Sequence, residues 1–399
     1  MNANIAKLYH IAQQPSRRII GLMSGTSLDG LDIALCRVSG SGVGTKVVLE
    51  QFTTVPYGAD VKERIREIFA KTQVDFELVA LLNAWIGELH AGMIIDTLAG
   101  WNIAPGDVDA IASHGQTVMH APKAQHRREP YGNATLQIGD GDHIAVRTGI
   151  ITLSDFRQKH VAAGGEGAPL AVYVDYYLFG KAGQDRILLN MGGIANFTNL
   201  PASMDPHAVF VTDTGPGNTL IDRMMRFYFP GQDYDRDAAV ASGGQVSAAL
   251  LGALKSHAFF AQPFPRTTGP EVFNVAYVLD AQAATGTQAL PPEDVLATLT
   301  RFSAETIAEA IDGSTHALDG DFDVYLSGGG MHNPLLVRWI GELLPARFHL
   351  IDELGVLGDA KEAVLFAVLA NETLAGGQSD FGRRAGIPSV SMGKISLPG

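Results

Sequence analysis

Ser24-Gly25-Thr26-Ser27-Leu28-Asp29-Gly30 places hydroxyls, glycines and a carboxylate within one short stretch. Glycines let backbone N–H groups converge on an anion such as phosphate, and the hydroxyls add donors. Asp29 could hold a hydrated magnesium ion against phosphate oxygens. An ordinary hairpin turn would use the same residue types, so the stretch gains meaning from its companions. Asp213-Thr214-Gly215-Pro216-Gly217-Asn218 is a second acidic glycine loop, with Asp213 as its carboxylate. Ser327-Gly328-Gly329-Gly330, followed by Asn333-Pro334, is a third, and its glycines would admit a flat ring such as adenine. Together the loops are far more specific than any one of them. They are not a P-loop, since no GxxxxGK[ST] occurs, and Gly25-x-Ser27-x-x-Gly30 is one residue too long for a nucleophile elbow.

The densest chemistry lies between Asp155 and Pro169. Asp155, Arg157 and His160 precede Gly164-Gly165-Glu166-Gly167-Ala168-Pro169. A carboxylate, a guanidinium and an imidazole beside a glycine loop suit acid–base work on a sugar; a solvated surface loop would look similar. His114 and His120 lack metal-ligand partners at useful spacing, so His114 reads as a sugar contact or a filled hydrogen-bonding slot. The run Asp319-x-Asp321-x-Asp323 is an acidic turn, because Val324 and Gly330 stand where an EF-hand needs glycine and glutamate.

These loops need rigid elements behind them. Residues 17–38 read as strand, polar turn, strand. Val61, Ile65, Ile68 and Phe69 recur at helical spacing, and Leu78 to Ile94 forms a second helical pattern. Strands at 108–113, 186–190, 209–212 and 324–326 each lead into a small-residue loop, including Gly192-Gly193. Helices are expected near Glu293–Ile311 and Ala360–Leu374. The hairpin at 19–38 and the strand–GGIAN–strand unit at 186–200 echo one another, which suggests a duplication with one copy per lobe. Alternating strands and helices give an α/β class, whose ligands sit beyond the carboxyl ends of strands.

At 399 residues, the chain is long enough for two domains. Residues 1–148 with about 375–399 are expected to form the first lobe and residues 149–374 the second. The composition, 46% hydrophobic and 18% charged, excludes disorder. A net charge of −13 argues against nucleic acid as a partner. Cys36 is the single cysteine, so no internal disulfide is possible and a cytoplasmic home fits. The first 18 residues lack an apolar signal region, and no uninterrupted apolar run reaches membrane-spanning length, so no membrane association is expected.

The ordered motifs resemble the anhydro-N-acetylmuramic acid kinases over roughly Ile19 to Thr373. They run from GxMSGTSLDGxD at 21–32 through SHGQTVxH at 113–120, LQIGDG at 136–141, RTGI at 147–150 and DFR at 155–157. They continue with AAGGxGAPL at 162–170, NMGGIANFT at 190–198, DTGPGN at 213–218 and SGGGxxNPLL at 327–336. The resemblance implies the two-lobed actin-like ATPase fold, a duplicated ribonuclease H-like α/β architecture with a central cleft. It also implies a reaction in which ATP with Mg²⁺ phosphorylates O6 of a 1,6-anhydro sugar while water opens the anhydro bridge. The product would be N-acetylmuramic acid 6-phosphate from peptidoglycan turnover, and the family's dimers imply a homodimer.

Carried over by motif, Gly25, Thr26, Ser27, Leu28, Asp29, Gly30 and Asp32 would serve the first phosphate loop. Gly192, Gly193, Asp213, Gly215, Gly217 and Asn218 would serve the second. Gly328, Gly329, Gly330 and Asn333 would meet adenosine, and Asp29 and Asp213 would carry the metal. His114, Gln116, Arg147 and Glu362 would contact the sugar. Two positions depart from the family pattern: His160 stands where DFRxxD has an aspartate, and Glu166 replaces the glutamine of GGQGAPL. The unchanged number of carboxylates suggests compensation. Glu166 is favoured as the general base, with His160 orienting it or binding substrate, because a carboxylate would also stabilise positive charge on the anomeric carbon. His160 is the competing base, since an imidazole can accept a proton from water at neutral pH, and Asp155 would serve if both were solvated loop residues. A kinase of the same fold acting on another anhydrosugar or an open sugar is the second reading, and a non-catalytic nucleotide-dependent sensor the third.

Overall fold

The computed structural model describes residues 1–269, 271–314, 322–377, 380–381, 383–384 and 386–399. Two compact units emerge, Met1–Leu178 with Gly355–Gly399, and Phe179–Leu354.

In the first unit, β1 (Ser16–Ser24), β2 (Gly30–Ser39) and β3 (Lys46–Pro56) form an antiparallel meander. β4 (Ala110–Ala121) then joins β1 in parallel, β5 (Ala134–Ile138) pairs antiparallel with the far end of β4, and β6 (Thr152–Ser154) lies parallel to β4. The path across the sheet is β3-β2-β1-β4-β6, closed by the C-terminal strand Lys394–Ser396. Ile19, Ile20 and Leu22 on β1 are fully buried, as expected for a central strand covered on both faces.

In the second unit, β7 (Arg186–Met191), β8 (Ile194–Leu200) and β9 (Phe210–Pro216) form an antiparallel meander. β10 (Asp323–Ser327) runs parallel to β7, and β11 (Arg347–Leu350) runs parallel to β10. The path β9-β8-β7-β10-β11 repeats that of the first unit strand for strand. The echo read in the sequence is therefore a repeat of topology, and the α/β class and duplicated fold are those expected.

The expected lobe boundaries are corrected on both sides. Residues 149–178 belong to the first unit because β6 extends the sheet of β1 and β4. The return falls at 355, because the helix Lys361–Ala375 packs across β1 and β2. That crossing depends on Gly21, where a Cβ would lie 1.8 Å from the Ala363 carbonyl oxygen.

The expected helices appear as Ala59–Ile68, Phe76–Gly100, Pro292–Ser314 and Lys361–Ala375. Phe76–Gly100 is long and apolar enough to cross a bilayer by length and composition alone. Asn83, Glu88, His90 and Asp96 interrupt it, and Leu82, Ile86, Ile94 and Leu98 are core residues of the first unit. His114–Thr117, read as a loop, is instead part of β4, and Asp213–Pro216 is part of β9. In both places ladder pairing continues past a bulge. The acidic turn at 319–323 lies outside the described residues up to Asp321, and Asp323 opens β10.

Candidate active site

In the first unit, the turn between β1 and β2 leaves Thr26, Ser27 and Asp29 exposed while Leu28 is buried. Leu28 adopts φ 61°, the left-handed conformation that reverses the chain, and its side chain anchors the turn in the core. Gly30 is required by packing: a Cβ there would lie 2.3 Å from the Val55 carbonyl oxygen on β3. Asp32, on β2, accepts a hydrogen bond from Thr54 Oγ1 at 2.6 Å, and burial raises its pKa.

Gln116 fixes the loop from β4. Its Nε2 donates to the carbonyl oxygens of Gly25 at 3.3 Å and Thr117 at 3.1 Å, and its Oε1 accepts from Ser24 Oγ at 2.5 Å. The amide is fully buried and fully engaged, so Gln116 holds the loop where the sequence suggested a sugar contact.

A cavity of about 280 Å³ opens above this loop. Met23, Ser24, Gly25, Thr26 and Ser27 line it together with His114, Thr117, Arg157 and Glu362. Arg157 Nε donates to His114 Nε2 at 2.8 Å, and Nη1 donates to the Gly167 carbonyl at 2.7 Å. Burial, with Arg157 adding to it, holds His114 well below the usual histidine range, so the ring is neutral. Burial pushes Arg157 down to about 10, opposed by the charge of Glu362. Glu362 sits in the first turn of its helix. Its carboxylate is reachable through the cavity mouth, yet crowding by protein atoms raises its pKa against the attraction of Arg157.

The three residues nominated for acid–base work lie elsewhere. His160 is fully buried, and its Nδ1 accepts the Gly167 N–H at 2.9 Å. Its ring packs T-shaped with Tyr173, and a Cβ on Gly165 would fall 2.2 Å from the imidazole. Burial and Arg157 lower its pKa to about 4. His160 therefore supports the glycine loop from below. Glu166 is exposed on that loop, where its charge raises the pKa of His120 against the larger lowering effects of burial and Arg157. Asp155 has φ 58° and pairs with Lys394, and it lines a neighbouring cavity of about 580 Å³ that shares His114 with the first. Arg147 is exposed on the helix Gly141–Thr148 and lines neither cavity.

In the second unit, the three glycine loops interlock. The N–H groups of Gly217 and Asn218 donate to the carbonyls of Gly193 and Gly192, both at 2.9 Å. A Cβ on Gly217 would lie 2.3 Å from the Gly192 carbonyl oxygen, and Asn218 Nδ2 donates to the Met191 carbonyl at 3.2 Å. Gly328 has φ 78°, and a Cβ there would meet Asn190 Oδ1 at 2.5 Å. Gly330 is pressed against Met191, and Gly215 against Phe260. These glycines thus let loops touch one another, and Gly329 is left at the surface.

Asp213 accepts the Thr268 N–H at 2.8 Å, and burial raises its pKa to about 6, opposed by that bond and by Arg266. Beside the loops lies a cavity of about 630 Å³, at the start of helices Thr219–Tyr228 and Pro334–Leu343. Asn218, Gly329 and Asn333 line it as expected. Asp222, Tyr234, Arg236 and His332 also line it, and the sequence reading missed them. For Tyr234 and Arg236 a signal was present in the polar run Asp233-Tyr234-Asp235-Arg236-Asp237, where the Arg236 guanidinium lies 5.7 Å from the Tyr234 ring centre. Asn333 also caps the second helix, accepting the Leu336 N–H at 2.9 Å.

A sheet topology used twice, with an acidic glycine loop beside the first sheet and another beside the second, is the framework of the actin-like ATPase and sugar kinase class. Comparison with known proteins is more specific. The family model for anhydro-N-acetylmuramic acid kinase matches residues 17–394. The anhydro-N-acetylmuramic acid kinases of Pseudoalteromonas atlantica and Pseudoalteromonas translucida are 57% and 52% identical, each over 100% of both chains. That of Caldanaerobacter subterraneus is 38% identical over 98% of this chain and 100% of its own. The chain belongs to the anhydro-N-acetylmuramic acid kinase family.

Proposed function

We propose that the protein is an ATP-dependent kinase that converts 1,6-anhydro-N-acetylmuramic acid to N-acetylmuramic acid 6-phosphate. The observation that carries this reading is the first-unit cavity, where a hydroxyl-rich loop, an arginine held by a neutral histidine and a crowded carboxylate face one space. In the reaction, a water oxygen bonds to the anomeric carbon as the bond from that carbon to O6 breaks. O6 attacks the γ-phosphorus, ADP departs, and the proton from water goes to a base.

Glu362 is the base this geometry favours. It lines the cavity, whereas His160, Glu166 and Asp155 do not. Its raised pKa makes it a better proton acceptor than an ordinary carboxylate. Arg157 balances its charge and sits where it can meet charge developing on the sugar. Within the Ser24–Ser27 loop, the exposed Thr26 and Ser27 offer hydroxyl donors to phosphate. The purine and ribose of ATP are assigned to the second-unit cavity between Tyr234, Arg236 and Asn333.

Mg²⁺ is ordinarily held by one or two carboxylates together with substrate phosphates. Asp29 in the exposed turn and half-buried Asp213 fit that role in their own units. Bound with ATP, the ion would neutralise phosphate charge. The working form is proposed to be a cytoplasmic homodimer.

The test is sugar-dependent ADP release with ATP–Mg²⁺, supplying the anhydro sugar, its open-ring form and an anhydrohexose. Turnover of the anhydro sugar, with the 6-phosphate as product, supports the assignment. Preference for another sugar overturns the substrate, and ATP binding without ADP release from any sugar favours a sensor.

A further inference from the structure

We infer that Tyr57 and His90, which line neither cavity, are positioning residues for the phosphate loop and act through a buried, one-directional chain of hydrogen bonds. The chain joins His90, Tyr57, Ser24 and Gln116, which are 0%, 4%, 1% and 0% exposed. His90 Nε2 lies 2.7 Å from Tyr57 Oη, which lies 2.8 Å from Ser24 Oγ, which lies 2.5 Å from Gln116 Oε1. The inference rests on the reading of Ser24–Ser27 as a phosphate loop.

Direction follows from the far end. Gln116 Nε2 faces two carbonyl oxygens, those of Gly25 and Thr117, and must donate to both. Its Oε1 therefore faces Ser24, and an amide oxygen can only accept. Ser24 spends its one proton there, so it must accept from Tyr57. Tyr57 spends its proton on Ser24, so it must accept from His90. His90 is thereby fixed as the tautomer protonated at Nε2. Its other nitrogen, Nδ1, is buried with no hydrogen-bond partner, as suits a bare nitrogen with no proton to place. Burial also holds this histidine near pKa 4, so the ring stays neutral at working pH.

The consequence reaches the phosphate loop at its first peptide. Gln116 donates to the Gly25 carbonyl, which also accepts the Leu28 N–H at 3.3 Å and so closes the turn whose Gly25, Thr26 and Ser27 line the cavity. Ser24 lines that cavity, yet its proton is committed to Gln116 and is withheld from phosphate. Were the chain reversed or broken, Gln116 could turn, and the Gly25 carbonyl would keep only the Leu28 N–H at 3.3 Å, a contact within the turn that does not tie it to β4. His90 comes from the helix Phe76–Gly100 and Tyr57 from the segment after β3, so the loop's geometry is set by core elements on which no ligand bears.

The experiment uses the full-length protein with three variants, Tyr57→Phe, His90→Leu and His90→Gln. Tyr57→Phe removes the donor to Ser24 and strands the His90 N–H. His90→Leu removes the first donor. His90→Gln restores an N–H at the end of a side chain of similar reach. The expected result is a fall of about tenfold to hundredfold in kcat/KM for ATP in Tyr57→Phe and His90→Leu. KM for the sugar should hold, and His90→Gln should recover most of the loss. Nitrogen NMR of histidine-labelled wild-type protein, with His90 assigned by its absence in His90→Gln, should show the Nε2–H tautomer. The Nδ1–H tautomer, or unchanged ATP kinetics in a folded Tyr57→Phe, overturns the inference. An enzyme without sugar-dependent ADP release would instead sink the functional reading beneath it.

Discussion

Arg157 Nε and His114 Nε2 lie 2.8 Å apart, and because the guanidinium can only donate, the imidazole must accept. A protonated histidine could not accept there. The pair therefore works only with His114 neutral, which its burial enforces. The same guanidinium holds the Gly167 carbonyl with Nη1, so one side chain joins β4 to the glycine loop while facing the cavity. Lysine cannot reproduce that fork. Arg157→Lys should lower kcat/KM by about a hundredfold without loss of fold, checked by steady-state kinetics beside a melting curve.

Glu362→Gln should reduce sugar-dependent ADP release by roughly 10²–10⁴ and leave ATP binding intact, as measured by calorimetry with a non-hydrolysable analogue. Glu166→Gln should stay within a few fold of wild type. Since the carboxylate form is the active one and crowding by protein atoms raises its pKa, wild-type activity should fall on acidification sooner than an unperturbed glutamate would require. Full activity in Glu362→Gln would remove it as the base.

His160 should matter to stability through the glycine loop. Its pKa is about 4 when folded, below the ordinary histidine value. The folded state then binds fewer protons, so the stability it contributes is complete above the unfolded pKa, about 6.5. It declines as pH falls toward 4. His160→Asn should flatten that decline in melting curves taken from pH 7 to pH 4. Gly165→Ala should destabilise more sharply, since its methyl group would overlap the imidazole.

Asp213 has the opposite sign. Burial raises its carboxyl from 3.8 to about 6, so the folded state holds the proton longer than the unfolded chain. Stability is lost as pH rises through that window, and the cost is complete above it. Asp213→Asn should raise the melting temperature at pH 7 and do nothing near pH 4, while lowering turnover. Higher stability with lower activity at pH 7 is the expected signature of a carboxylate kept for function. Equal melting temperatures at pH 7 would contradict it.

Asp29 is exposed, so Asp29→Asn should leave stability unchanged and lower turnover by several orders of magnitude, because phosphoryl transfer depends on placed charge. Turnover near wild type would show that Asp29 carries no part of the phosphate or metal work.

Local sequence alone carried the class of the fold, its duplication and the acidic glycine loops. These are written locally: strand periodicity, then a glycine-rich turn bearing an acid, repeated from 19–38 to 186–200. It also marked His114, and Glu362 through motif order alone. Tertiary structure decided what each side chain does. Gln116 has the composition of a sugar contact, yet the register of β4 beside β1 turns its amide onto the Gly25 carbonyl. His160 occupies a position that reads as catalytic, yet Gly165 and Tyr173 enclose it. Tyr57 and His90 carried no signal at all, because nothing in a linear chain tells that residues 33 apart will share a proton with Ser24. Lobe boundaries failed for the same reason. β6 and the helix Lys361–Ala375 join the first unit through sheet pairing and through close packing at Gly21, contacts between segments far apart in the chain.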